Sequence, residues 1–387
     1  MRQLANQFSC DIVIATLPAP KDDFIGLDGK IHLATGGEPP LLVRHRYAFE
    51  AFADDKARGM NGYANHWQVV EDVRKRLSPM MRLEAEEIGL IGNASEGIVK
   101  VLSSVDWRFG DNVVTSDCDY ASGRYALASL ARQGVEVRMV STRGWRIDVD
   151  DLLDHCDERT RVLYISQVNA MTGQLIDIEP LSRALAASSV ILLLDASHAL
   201  GAVSVRGDLA DFTVSSCYKF ALGIHEGIFA WNRTRRPNFE PFGVGWAAAN
   251  PGDTPDRFQR KEGAKRVEFG NAGHLGAYLM RESLDYLGRY GTGAVTEHIQ
   301  ALCCRMIDGM TALNLDVMTP IAPVEQAGNA AFVCDNPTAI VAKAEADGIY
   351  VWGDNGRVRA SAHVFTTKAD VDVFLEKLPR YLAFKQD

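Results

Sequence analysis

From Glu86 to Asn232 the chain alternates short apolar runs with amphipathic stretches. The runs are EEIGLI, NVVTS, EVRMV, RVLYIS, VILLLDA, DFTVSS and GIFAWN. Between several of them lie SEGIVKVLSS, GRYALASLARQ and PLSRALAASS, which have a helical spacing of apolar positions. This alternation predicts an α/β fold, with a mostly parallel sheet covered by helices. The segment from about 235 to 273 is richer in Pro, Gly, Asn and Arg, and reads as a long irregular connection of the kind that carries function. Residues 274–313 read as helical. The tail offers AAFVCD, the helix AIVAKAEADG, IYVWGD, RVRASAHVF and the helix DVDVFLEKLPRYL, a small α+β domain. The expected division is 18–270 for a large domain and 271–387 for a small C-terminal one, with 1–17 packed on the small domain.

Composition narrows the picture. The 387 residues are 47% hydrophobic and 24% charged, enough for a large core. A net charge of -9 argues against nucleic acid as a partner. Cysteines stand at 10, 118, 156, 217, 303, 304 and 334, an odd number with neither CxxC nor zinc-ligand spacing. No metal site is expected, and a reduced, cytoplasmic setting is. The N-terminus lacks the features of a signal peptide, and no apolar stretch is long enough to span a bilayer.

The chemistry concentrates in VILLLDASHALGA and DFTVSSCYKF. An acid (Asp195) and a histidine (His198) follow one apolar run, and a lysine (Lys219) follows the next. Ligands of open α/β sheets sit at the carboxyl ends of strands, where all three would lie. Alone, Asp195 reads as a helix N-cap and His198 as a core histidine. Together they predict a pyridoxal phosphate site. Lys219 would form a Schiff base with the aldehyde, Asp195 would pair with the pyridinium nitrogen, and His198 would contact the ring. Ser216 and Tyr218 offer hydroxyls to the phosphate. LIGNASEGIVKVL reads as strand, turn and helix, so Ser95 is either a phosphate ligand or a plain N-cap. Tyr120, in DCDYASG, is a candidate for stacking on the pyridine face. Arg359 in GRVRASAHVF is a candidate carboxylate clamp, with Arg357 competing.

From about Gly62 to Phe374 these motifs resemble the class V aminotransferase family, fold-type I enzymes that include cysteine desulfurases, kynureninases and isopenicillin N epimerase-like proteins. The resemblance implies a fold-type I PLP-dependent transferase, with a mostly parallel seven-stranded sheet in the large domain. The family's Asp-x-x-His motif falls on DASH, giving Asp195 and His198. Its Ser-x-Tyr-Lys motif falls on SCYK, giving Ser216, Tyr218 and Lys219. Its phosphate turn falls on NASEG, giving Ala94 and Ser95, and its ring-stacking residue falls on Tyr120. Its Arg-x-Ser element falls on RASAHVFTT and selects Arg359. VEFGNAGH resembles the element that reaches the neighbouring subunit's phosphate, which implies that Asn271 does so in a homodimer with shared active sites. SQVNAMTG resembles a kynureninase-like pattern that puts Asn169 near the cofactor O3′ or the substrate. GVGW resembles a loop whose tryptophan, Trp246 here, lines the substrate pocket; an isolated buried tryptophan is the competing reading.

The chain also departs from the family. EADGIYVWGDNGRV lacks the desulfurase's nucleophilic cysteine, Thr366 replaces an Asn, and Asn271 replaces a Thr. The resemblance implies a PLP-dependent enzyme acting on a small α-amino acid, with a lyase cleaving at Cβ or Cγ, such as a cysteine S-conjugate C–S lyase, placed first. Transamination, epimerisation and PLP binding without turnover stand as alternatives.

Overall fold

The computed structural model describes residues 15–254 and 256–383. The expected packing of the N-terminal stretch therefore lies, for residues 1–14, outside the described residues.

The chain enters through the short strand β1 (Ile31–Leu33) and the helices α1 (His45–Ala57) and α2 (Met60–Met81). Along α2, Val69, Val73, Leu77 and Met81 recur every four residues and are buried, a stripe that a 3.6-residue period turns to one side. The helix stops at Arg82, whose φ of 53° is left-handed. Strands and helices then alternate: β2 (Ile88–Ile91), α3 (Ala94–Leu102), β3 (Asn112–Ser116), α4 (Ala121–Ala128), β4 (Glu136–Val140), α5 (Val149–Asp154), β5 (Thr160–Ser166), α6 (Glu179–Leu185) and β6 (Ile191–Asp195). β7 (Phe212–Ser216) and β8 (Gly227–Trp231) follow with no α-helix between β6 and β8.

These seven strands form one sheet in the order β2-β8-β7-β6-β5-β3-β4. β8 runs antiparallel to both neighbours, and every other pairing is parallel. Every residue of β2, β3, β7 and β8 is buried. A sheet covered on both faces needs such uninterrupted apolar runs.

The segment expected to be irregular contains a small antiparallel hairpin, β9 (Ala249–Pro251) with β10 (Phe258–Arg260). After it come α7 (His274–Gly288), α8 (Thr292–Ala312), β11 (Asn329–Val333), α9 (Pro337–Ala346), β12 (Ile349–Asp354), β13 (Arg357–Ser361) and α10 (Lys368–Leu382). The second sheet has the order β1-β12-β13-β11, with β1 parallel to β12. Only Asn355 and Gly356, with φ of 50° and 73°, connect β12 to β13. Asn-Gly suits such a two-residue turn because both positions need positive φ.

The expected division at residue 270 does not follow the packing at two places. β1 belongs to the second sheet, although it lies near the N-terminus. α7 shares a core with α1 and α2, where Tyr278 and Leu284 join Val70, Val73 and Leu77. Beneath them, the buried Arg74 pairs with Glu268 at 2.7 Å, and Glu268 also accepts the Leu90 N–H. That carboxylate ties α2, β2 and the end of the long connection together.

Candidate active site

Asp195 is the last residue of β6, in register with Val214 of β7, and Lys219 lies three residues beyond β7. Adjacent parallel strands thus deliver both groups to one edge of the sheet. The Lys219 ammonium is buried and, among the described residues, makes no hydrogen bond or ion pair. Burial pushes its pKa down to about 8, against the pull of the Asp195 charge. Asp195 Oδ1 accepts the Ser197 N–H at 2.8 Å and Oδ2 accepts the Tyr164 hydroxyl at 3.1 Å. An ionised carboxylate retains lone pairs beyond these two.

His198 is buried beside this pair. Asn329 Nδ2 donates to its Nδ1 at 3.1 Å, which leaves Nε2 as the ring's N–H donor. Burial, and then the charges of Lys219, Arg359 and Arg357, hold the imidazole pKa well below the usual value, so the ring is neutral.

Two helix N-termini meet nearby. Asn93, not Ser95, caps α3, its Oδ1 accepting the Glu96 N–H at 2.9 Å. The Ser95 hydroxyl, one residue past Ala94, is therefore free to donate to Ser122 Oγ at 2.9 Å, in the first turn of α4. Ser216 Oγ, at the end of β7, is buried and has no hydrogen-bond partner among the described residues. Paired hydroxyls at helix N-termini, with an unmet hydroxyl nearby, are able to hold a phosphate.

Tyr120 precedes α4, and its ring centroid lies 5.1 Å from Lys219 Nζ. The loop carrying it is pinned by the buried Asp119, which accepts the Tyr120 and Ser166 N–H groups and the Ser166 hydroxyl. Burial raises the Asp119 pKa to about 6. The Tyr218 ring lies 5.5 Å from Lys219 Nζ and stacks on His225 at 4.2 Å. The Asn169 carboxamide oxygen accepts the N–H groups of Met171 and Thr172, and its Nδ2 donates to the Cys118 carbonyl. Asn169 thus builds a turn against the Tyr120 loop and retains one amide hydrogen.

Arg359 arrives from β13 and is buried; its Nη1 donates to the Ala170 carbonyl at 2.6 Å, and its Nε has no partner among the described residues. Burial, with Arg357 adding repulsion, pushes it down to about 9. A Cβ placed on Gly36 would meet Ser361 Oγ, Arg359 Nη2 and Asn329 Oδ1 at 2.9–3.0 Å, so the turn after β1 packs directly on these polar groups.

Two expected residues lie nearer the surface. Trp246 is 63% exposed. It begins a short 3-10 turn. The competing reading of an isolated buried tryptophan does not hold. Asn271 accepts the Tyr63 hydroxyl at 2.7 Å and shares a cavity rim with Gly92 and Glu96, just before and within α3.

Sequence reading missed Tyr164, Asn329, Ser122 and Asp119. For Ser122 there was a signal: YASG repeats the Ala-Ser step of NASEG at a helix start. Together these features fit pyridoxal phosphate. A buried amine is available to the aldehyde, a carboxylate to the ring nitrogen, and helix N-termini with hydroxyls to the phosphate.

A profile of the family described as aminotransferase class-V matches residues 47–374. Relatives include a probable cysteine desulfurase of Methanothermobacter thermautotrophicus, 23% identical over 80% of this chain and 82% of its own. A kynureninase of Deinococcus radiodurans is 25% identical over 70% of this chain and 67% of its own. Among solved structures, the apo cysteine desulfurase of Thermococcus onnurineus NA1 aligns with a TM-score of 0.85 at 20% identity, over 94% of this chain and 97% of that one. The cystine C-S lyase C-DES, in complex with its product cysteine persulfide, aligns at 0.84 and 21% identity, over 92% and 98%. These two structures share the fold, and the profile spans most of the sequence. The chain belongs to the class-V aminotransferase family of pyridoxal phosphate-dependent enzymes.

Proposed function

We propose that the protein is a lyase cleaving at Cβ or Cγ of an α-amino acid, with cysteine S-conjugates the first class to test. One observation carries this reading. The Lys219 amine and the Arg359 guanidinium are buried close enough for their charges to interact, and the hairpin beside Arg359 has only Asn355 and Gly356 at its tip, with no thiol. A desulfurase-type relay through a cysteine there is thereby disfavoured. Two relatives carry names that suit such a cleavage, a kynureninase and a cystine C-S lyase.

Pyridoxal phosphate, when bound, supplies an electron sink conjugated with the substrate Cα. The chain supplies the rest. Arg359 grips the α-carboxylate and fixes which Cα bond faces Lys219. Lys219, with its pKa near 8, takes the Cα proton as general base and returns it to the departing group as acid. Asp195 would hold the positive charge of the ring nitrogen, and neutral His198 would offer its Nε2–H to the ring. Cys118, beside the Tyr120 loop, donates its proton to no base: burial raises its pKa, and it remains a thiol.

The test is an amino-acid panel with product analysis, S-substituted cysteines included. A 2-oxo acid with ammonia is expected. Accumulation of the pyridoxamine form, or loss of optical rotation without fragmentation, would replace this reading with transamination or epimerisation. Light scattering on the same preparation tests the homodimer that the family resemblance implies.

A further inference from the structure

We propose that the substrate carries a second acidic group, bound by Arg357 while Arg359 holds the α-carboxylate. This rests on the reading of Arg359 given above. Arg357 and Arg359 are two apart on β13, so a strand turns both to one face. They are 7% and 4% exposed. Among the described residues neither is within ion-pair distance of a carboxylate. Arg357 Nε and Nη1 are buried without hydrogen-bond partners among those residues, as is Arg359 Nε.

The surroundings do not neutralise this pair. Asp354 stands opposite Arg357 in register, but it is exposed, and its oxygens accept from the N–H and Nδ2 of Asn355. The indole of Trp352 lies 4.7 Å from Arg357 Cζ and 4.8 Å from Arg359 Cζ, so one aromatic face is shared between two cations. The contrast with Arg74 is informative. That arginine is equally buried, and the fold gives it the carboxylate of Glu268 at 2.7 Å. A buried guanidinium left without an anion is costly, and two side by side repel as well. Both also depress the pKa of His198, which locates the pair beside the cofactor residues. One carboxylate can engage one planar fork in bidentate fashion, and the second fork then remains unmet. A second carboxylate or sulfinate on the substrate side chain meets it.

The test uses the cofactor-loaded protein and follows the cofactor absorbance during titration with aspartate, glutamate and cysteine sulfinate, against alanine and serine. The acidic set is expected to bind at least about 10-fold more tightly. In Arg357→Gln that preference is expected to collapse to within about threefold, with Arg357→Lys intermediate. Thermal melts of the cofactor-free protein check folding, and Arg357→Gln is expected to melt no lower than wild type because it removes an unpaired charge. Equal affinity for acidic and neutral amino acids in the wild type overturns the inference. So does an Arg357→Gln protein that keeps the acidic preference and loses only cofactor affinity. If no amino acid perturbs the absorbance, the reading of the site as an amino-acid enzyme fails instead, which separates the two failures.

Discussion

The hydroxyl of Tyr164 donates to Oδ2 of Asp195 across 3.1 Å, so the acid ending β6 is fixed from inside the neighbouring strand β5. The Tyr164 ring is itself held from above. A methyl group added to Gly123 of α4 would overlap it, and only a bare Cα allows the helix to come so close. Helix α4, β5 and the carboxylate form one stack.

Tyr164→Phe removes one hydrogen bond from a buried carboxylate. It is expected to cost about 1–2 kcal/mol in urea denaturation and to lower kcat/KM. Gly123→Ala, which must displace the ring, is expected to cost more on both counts. Equal activity of Tyr164→Phe and wild type across pH would show that the phenol does not support Asp195.

Lys219 predicts a pH dependence. Its amine loses a proton near pH 8 when folded and at 10.5 when unfolded. Below pH 8 both states are protonated and burial of the charge is a full penalty. Between those values the unfolded chain binds more protons, so stability of the cofactor-free protein rises with pH. Lys219→Met is therefore expected to be more stable than wild type at pH 7, by about 1.4 kcal/mol for each unit of depression. The gap should close as pH approaches 10.5, and denaturation curves across pH 7–10.5 measure it.

Arg359→Lys keeps a positive charge and loses the planar fork. KM for the amino acid is expected to rise about 10- to 100-fold. Steady-state kinetics with Arg359→Lys and Arg359→Leu separate fork geometry from charge, since charge alone would let lysine restore wild-type KM.

Glu268→Gln removes the buried carboxylate of Arg74 and leaves it only the partly exposed Glu71, at 3.4 Å. A loss of about 2–4 kcal/mol in unfolding free energy is expected, at or below the cost of a fully uncompensated buried charge, large enough to read directly from a urea midpoint. A smaller loss in Arg74→Met/Glu268→Gln than in the single variant would confirm that the stranded cation is responsible.

Much of this was legible in the sequence because it depends on local order. Seven apolar runs gave seven strands, and β6 and β7 placed Asp195 and Lys219 at one edge simply by ending there. The partners of those residues were not legible. Tyr164 lies inside an apolar run, where nothing distinguishes it from a packing residue, and Asn329 reaches His198 from 131 positions away. β1 has three residues, too few to show a period, and its membership of the second sheet depends on pairing with Ile349–Val351. The competing reading of Trp246 as an isolated buried tryptophan rested on its bulk alone, whereas its backbone sits on an exposed turn.

The Asn355–Gly356 turn limits what can happen to a released fragment. A swinging thiol arm that carries sulfur from one protein to another needs several residues of slack, and a reversal of two residues provides none. Under the proposed lyase reading, a fragment released at that edge would leave as a small diffusible molecule, because this turn offers it no thiol to ride on.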